Sequence, residues 1–124
     1  MVARLVGAVW VVRKARSGPE GPFITAGRST DNDLVIPEYS VSQLHCSFRL
    51  EVKRWKPGRP YRLFATDRES LNGTAVRGAR IPSGEEVELN PGDELAMGRL
   101  QFTVLDAMGF LHRVAEATGL ELPK

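Results

Sequence analysis

The sequence predicts an all-β domain, an antiparallel sandwich or barrel followed by one short C-terminal α-helix. Three observations carry that expectation. Twelve Gly and eight Pro recur at short intervals and punctuate the chain into brief apolar runs. The run Cys46-Ser47-Phe48-Arg49-Leu50-Glu51-Val52 alternates strictly, so one face should be buried and the other wet. Helical spacing occurs only at the end, where Met108, Leu111, Val114 and Ala115 share one face between 107 and 118 and Gly119 offers a stop.

The chain of 124 residues fits one domain with a continuous core, divided here into a sandwich over 1–105 and a helix and tail over 106–124. A hydrophobic share of 42% and a charged share of 26% suit a soluble globular protein, and a formal charge of +2 is too small to argue for nucleic acid. No apolar run approaches the length of a membrane span, so no membrane partner is expected. Cys46 is the single cysteine, which rules out an intrachain disulfide and suits a reducing, cytoplasmic setting. Residues 1–12 are apolar after Arg4 but β-branched and without a small-residue cleavage site, so they read as a first strand, not a signal peptide.

In chain order the strand candidates are 5–12, 23–26, 34–36, 46–52, 61–65, 74–76, 86–89, 94–97 and 100–105. Between the first two, Ser17-Gly18-Pro19-Glu20-Gly21-Pro22 reads as a hairpin loop. A second loop spans 53–60, with four cations around Trp55, and reads as a solvated hairpin tip rather than a stacking platform for nucleic acid. Asn90-Pro91-Gly92-Asp93 has Pro and Gly where a type II turn wants them.

The organising stretch runs from Gly27 to His45. Ser29, Thr30, Asp31, Asn32 and Asp33 are consecutive turn-formers whose short polar side chains bond nearby backbone. Leu34-Val35-Ile36 follows, Pro37 stops it, and a polar loop from Glu38 to Ser42 leads to His45. Two loops thus flank one short strand, and Arg28 and Ser42 face one point in space if both loops leave the same sheet edge. Further on, Asn72-Gly73 between apolar runs reads on its own as a type I′ hairpin turn.

Taken in order, Gly27-Arg28, Asn32-Asp33, Ser42-x-x-His45, Ser70-x-Asn72-Gly73-Thr74, Leu89-x-x-Gly92-Asp93-Glu94-Leu95 and Gly98 resemble the forkhead-associated (FHA) domain over roughly residues 5–105. That resemblance implies a β-sandwich of about eleven strands whose loops at one end bind a phosphothreonine peptide. It implies that Arg28 pairs with the phosphate, Ser42 donates to it and Asn72 holds the peptide backbone. Gly27, Asn32, His45, Ser70, Gly73 and Thr74 match residues with supporting roles. The chemistry agrees: a phosphate offers acceptor oxygens, a guanidinium supplies bidentate donors, and a carboxamide both donates and accepts. No proton transfer is required of these groups, so a binding site is expected and not an enzyme.

Two positions depart from the pattern. Gln43 stands where many members carry a cation or Asn, and Leu71 where some carry a polar side chain; Gln43 retains its amide and Leu71 its backbone N–H as donors. Glu38, Ser40 and 76–80 are the candidates for selecting residues beyond the phosphothreonine. The implied partner is a phosphothreonine-containing protein or a Ser/Thr kinase, with no cofactor, no metal, and the oligomeric state open. The alternative from another class is a phosphate-independent assembly domain with the same fold, pairing through a sheet face or the terminal helix. A Ser42/His45/Asp67 hydrolase lacks a Gly-x-Ser-x-Gly elbow. Metal spacing and a Gly-rich loop opening a helix are absent from the sequence as well.

Overall fold

The structure, a computed structural model, describes residues 10–13, 21–52 and 61–106. These residues form two β-sheets and no helix. The strands are β1 (Ile24–Gly27), β2 (Leu34–Val35), β3 (Cys46–Val52), β4 (Tyr61–Asp67), β5 (Thr74–Val76), β6 (Ala79–Arg80), β7 (Glu86–Leu89), β8 (Glu94–Met97) and β9 (Leu100–Thr103). One sheet has the order β2-β1-β3-β4-β7 and the other β6-β5-β8-β9.

Alternation builds the core. Cys46 and Phe48 of β3 point inward with Ala65 of β4, and Ile24 and Ala26 of β1 join them. Val76, Leu95, Met97 and Leu100 of the second sheet complete the same cluster, with Ile36, Val41 and Leu89. Each large apolar side chain so buried contributes roughly 1.5–3 kcal/mol. The alternation fades towards the far end of β3, where Leu50 is 44% and Val52 46% exposed.

Pairing differs from the expected antiparallel scheme at one place. β1 and β2 run parallel, with Ala26 beside Leu34 and Gly27 beside Val35. The cause is Asp33, whose carboxylate accepts the Thr25 N–H at 2.9 Å while its own N–H donates to Thr25 Oγ1 at 3.1 Å. The chain is thereby returned to the start of β1 and must climb alongside it.

Nine strands fall within the described residues, against the roughly eleven that the FHA resemblance implies. β6 was not expected. It is two residues long, and its hairpin to β5 turns on Arg77 (φ 52°) and Gly78 (φ 80°), the φ > 0 pair of a type I′ turn. Arg is a poor sequence signal for that conformation. At Asn72-Gly73 only Gly73 has positive φ, at 85°, so the type I′ turn expected there does not form. Residues 11–12 carry no strand, while 5–9, most of the loop at 17–22, the basic loop at 53–60 and the helix expected over 107–118 lie outside the described residues.

Candidate phosphopeptide-binding site

Three loops meet at one end of the sandwich. The first, after β1, brings Arg28; the second, before β3, brings Ser42 and Gln43; the third, between β4 and β5, brings Leu71 and Asn72. They are bonded to one another directly. Arg28 N–H donates to Ser42 O at 2.9 Å and Ser29 N–H to Gln43 O at 3.2 Å. Leu71 N–H donates to Ser42 Oγ at 3.0 Å, and Asn72 Nδ2 to Ser40 O at 2.8 Å.

The supporting residues explain why these loops hold their shape. A Cβ on Gly27 would lie 2.3 Å from Gln43 O, so only glycine permits the close approach of the first two loops. Asn32 is buried and its amide clamps Gln43 O at 2.6 Å and Ser29 O at 2.9 Å. His45 is fully buried and bolts the second loop to the third. Its Nδ1 accepts the Ser42 N–H at 3.0 Å, which leaves the proton on Nε2 to donate to Gly73 O at 2.9 Å. Burial lowers the imidazole pKa below its ordinary value, against the raising effects of the Gly73 carbonyl and Asp67.

The third loop folds around Asp67, which sequence reasoning considered only as a triad member. Its buried carboxylate accepts from Ser70 Oγ at 2.5 Å, from Thr74 Oγ1 at 2.6 Å and from Ser83 Oγ. Ser70 Oγ in turn accepts the Gly73 N–H at 3.0 Å. Burial opposes the charge on Asp67, but the hydrogen bonds from Ser70, Ser83 and Thr74 outweigh it and hold the carboxyl below its usual range. The local signal for this hub is an Asp followed three residues later by a Ser, whose N–H donates to the Asp67 carboxylate at 3.3 Å.

The polar groups at the loop tips keep capacity in reserve. Arg28 is exposed; its Nε–H donates to Val41 O at 3.1 Å, and among the described residues the guanidinium has no carboxylate partner. Ser42 Oγ accepts from Leu71 and retains its own O–H to donate. Asn72 is exposed and retains its carbonyl oxygen and one amide hydrogen. The Leu71 N–H, expected from the sequence to face a ligand, is instead used on Ser42, and the Leu71 side chain is left 85% exposed. The Gln43 side chain is exposed while its carbonyl is taken by Ser29 and Asn32.

Of the proposed selectivity residues, Glu38 and Ser40 are already occupied. Glu38 accepts from Ser40 N at 2.9 Å and from Arg99 Nη2 at 2.7 Å, and Ser40 Oγ accepts the Arg99 N–H at 2.9 Å. Arg77 is turned to Asp93 at 2.6 Å. A hydrolytic triad does not assemble: His45 takes the Ser42 backbone N–H rather than its Oγ, and the Asp67 carboxylate is engaged by three hydroxyls. Burial also pushes the Cys46 thiol up to about 12, which leaves it no thiolate to act as a nucleophile.

The fold and the three-loop cluster define a class, and the comparison with known proteins names it. The family profile of the FHA domain matches residues 24–98, and the chain belongs to that family. The chain is 36% identical over 84 residues to the glycogen accumulation regulator GarA of Mycolicibacterium smegmatis, covering 68% of this chain and 46% of that protein. It is 34% identical over 76 residues to the probable serine/threonine-protein kinase fhkA of Dictyostelium discoideum, covering 61% of this chain but 13% of the kinase. Among solved structures, Mycobacterium tuberculosis EmbR in complex with a low-affinity phosphopeptide is 31% identical, with a TM-score of 0.52, covering 68% of this chain and 20% of that one. An FHA domain studied for phosphothreonine-dependent interactions shares the fold at a TM-score of 0.60 and 24% identity, covering 82% and 86% of the two chains. The chain thus spans at most about half the length of the curated relatives named here. FHA domains are regulatory binding modules, and the relatives include proteins named as regulators and inhibitors.

Proposed function

We propose that the chain is a phosphothreonine-peptide recognition module that acts in Ser/Thr-kinase signalling without catalysing a reaction, and that it works in the cytoplasm. One observation carries this reading: the tips bearing Arg28, Ser42 and Asn72 are hydrogen-bonded into a single cluster, with donor capacity left over on each. In use, the guanidinium of Arg28 meets two phosphate oxygens and the Ser42 hydroxyl donates to a third. Asn72 holds the N–H and C=O of an extended peptide through its carboxamide. Gln43, beside Ser42, adds an amide donor. Leu71 fixes Ser42 in place by its backbone. Gly27, Asn32, His45, Ser70, Gly73 and Thr74 keep the three tips together.

The geometry is preformed, so binding costs little loop ordering. The test is an array of phosphothreonine peptides and their unphosphorylated twins, probed with the unmodified protein and with Arg28→Ala. Phosphorylated spots should bind, their twins should not, and Arg28→Ala should lose the difference. Partners that survive both Arg28→Ala and phosphatase treatment would establish phosphate-independent assembly instead.

A further inference from the structure

We propose that Ser83 is a phosphorylation site, and that a phosphate there weakens peptide binding by breaking the Asp67 hub from its open side. This rests on the phosphopeptide reading above, which places the chain in Ser/Thr-kinase signalling, and adds to it a control of the site.

Of the three hydroxyls that Asp67 gathers, one is within reach from outside. Ser70 is 8% exposed and Thr74 1%, too buried for a kinase to engage. Ser83 is exposed, in the turn between β6 and β7 where Glu85 N–H donates to Pro82 O at 3.2 Å. Two bonds fasten this turn to the hub: the Ser83 hydroxyl donates to the Asp67 carboxylate, and Gly84 N–H donates to Asp67 O at 2.9 Å. The flanking sequence carries charges of the kind kinases read, with Arg80 three residues before Ser83 and Glu85 and Glu86 just after it.

A Ser/Thr kinase transfers the γ-phosphoryl group of ATP to Ser83 Oγ: the Oγ–P bond forms, the P–O bond to the β-phosphate breaks, ADP leaves and the hydroxyl proton is released. A donor thereby becomes an acceptor carrying about −1.5 to −2 charge. Asp67 can only accept while ionised. Burial opposes its charge, but the hydroxyls around it outweigh burial and keep it ionised at neutral pH. Two anions cannot occupy the place of one hydrogen bond, so the turn must withdraw. Arg80 packs against Gly73, has no ion-pair partner among the described residues, and gives the phosphate a cation to draw away from the third loop. From the hub to the site the path is short. Asp67 holds Ser70 Oγ, that oxygen accepts the Gly73 N–H at 3.0 Å, and Gly73 follows Asn72. Loss of the hub therefore releases the Asn72 carboxamide, while Arg28 and Asn32 keep their own bonds to Val41 O and Gln43 O. The phosphate contact stands and the hold on the peptide backbone goes.

The experiment has two arms. In the first, the full chain is incubated with ATP and the kinase fraction of the cells that produce it, and phosphate is located by mass spectrometry. It should appear on Ser83; a chain left bare at that residue would overturn the site. In the second, a phosphothreonine peptide is titrated into the full chain carrying genetically encoded phosphoserine at 83. Affinity should fall about 10-fold, and phosphatase treatment of the chain before titration should restore it. Amide signals of Ser70, Asn72 and Gly73 should shift on phosphorylation while those of Arg28 and Asn32 stay. Ser83→Ala, which removes the hydroxyl without adding charge, should lose far less affinity. Where the phosphorylated chain is unfolded at the working temperature, Ser83→Glu compared with Ser83→Gln takes its place, with Glu the weaker binder. Equal affinity with and without phosphate, equal losses in Ser83→Ala and the phosphorylated chain, or equal binding by the Glu and Gln variants would overturn the control while leaving peptide recognition standing. Equal binding of phosphorylated and bare threonine peptides by the unmodified chain would overturn the reading beneath it.

Discussion

Two surfaces of this molecule treat their arginines in opposite ways. On the outer face of the five-stranded sheet, Arg49 pairs with Glu86 at 2.7 Å and Glu51 at 3.2 Å, while Arg62 pairs with Glu88 at 2.8 Å and Glu51 at 3.7 Å. Both guanidiniums also lie over Phe64, at 4.3 and 5.0 Å from the ring centroid. Register puts these residues side by side, since Arg49 faces Phe64, Glu51 faces Arg62 and Phe64 faces Glu88. At the loop end, Arg28 is anchored only through Nε to a carbonyl and carries no carboxylate among the described residues. The first surface satisfies its charges within the fold. The second leaves the Arg28 guanidinium for a visitor, on a scaffold held by buried polar groups that include the Asp67 carboxylate. A guanidinium already paired must break that pair to bind phosphate, whereas Arg28 meets it at once.

Substitutions can sharpen or break that contrast. The largest expected effect is at the buried hub. Asp67→Ala strands the hydroxyls of Ser70, Thr74 and Ser83 and should lower stability by about 3 kcal/mol in denaturant unfolding, with peptide affinity falling as the third loop loosens. Next, Arg28→Ala should cost ~2 kcal/mol or more of phosphopeptide binding with little change in the unfolding midpoint, and Arg28→Lys should restore only part of it. Binding should also weaken as salt rises, because this charge is exposed. If Arg28→Ala unfolded the protein, the claim that its guanidinium is held in reserve would break.

Smaller effects follow. Gly73→Ala forces a side chain into φ 85° and against the Arg80 guanidinium, 2.6 Å from the added Cβ, and should cost about 1–2 kcal/mol. Acidification should act through His45. Its folded pKa lies below 6.5, so the unfolded chain takes up the proton first; stability is full above about 6.5 and declines as pH falls from there towards the folded value. Protonation also turns Nδ1 from acceptor to donor against the Ser42 N–H. A stability–pH curve should show that limb, and His45→Asn should lack it. Asp67 adds a second loss at lower pH, below 3.8, as its depressed carboxyl is finally protonated. The smallest effect is Arg49→Ala, which should leave phosphopeptide binding unchanged and shift the unfolding midpoint slightly, as exposed ion pairs do.

Much of this was legible in the sequence, and what was not has physical causes. The alternation of Cys46–Val52 and the Pro-Gly turn at 91–92 are local signals; the strand has the bounds read, though its buried face ends at Phe48, and the turn formed as read: Asp93 N–H donates to Asn90 O at 3.0 Å, with Gly92 at φ 91°. The order of the polar motifs also gave the family. Parallel pairing of β1 and β2 depends on where the Asp33 carboxylate points, which no periodicity reveals. β6 was hidden because its turn uses Arg77 at positive φ. The use of the Leu71 N–H, and the coupling of Tyr39 to Arg99 across sixty residues of chain, arise only once the strands are assembled.

The central claim is that the loop end, and not the charged sheet face, receives a phosphothreonine. Titrating the isotope-labelled protein with a phosphothreonine peptide and following backbone amide signals tests it most directly. The account predicts progressive, saturable shifts at Arg28, Ser42, Gln43, Leu71 and Asn72, with Arg49, Glu51, Arg62 and Glu88 unmoved. Shifts confined to the sheet face, or identical shifts from the unphosphorylated peptide, would contradict it.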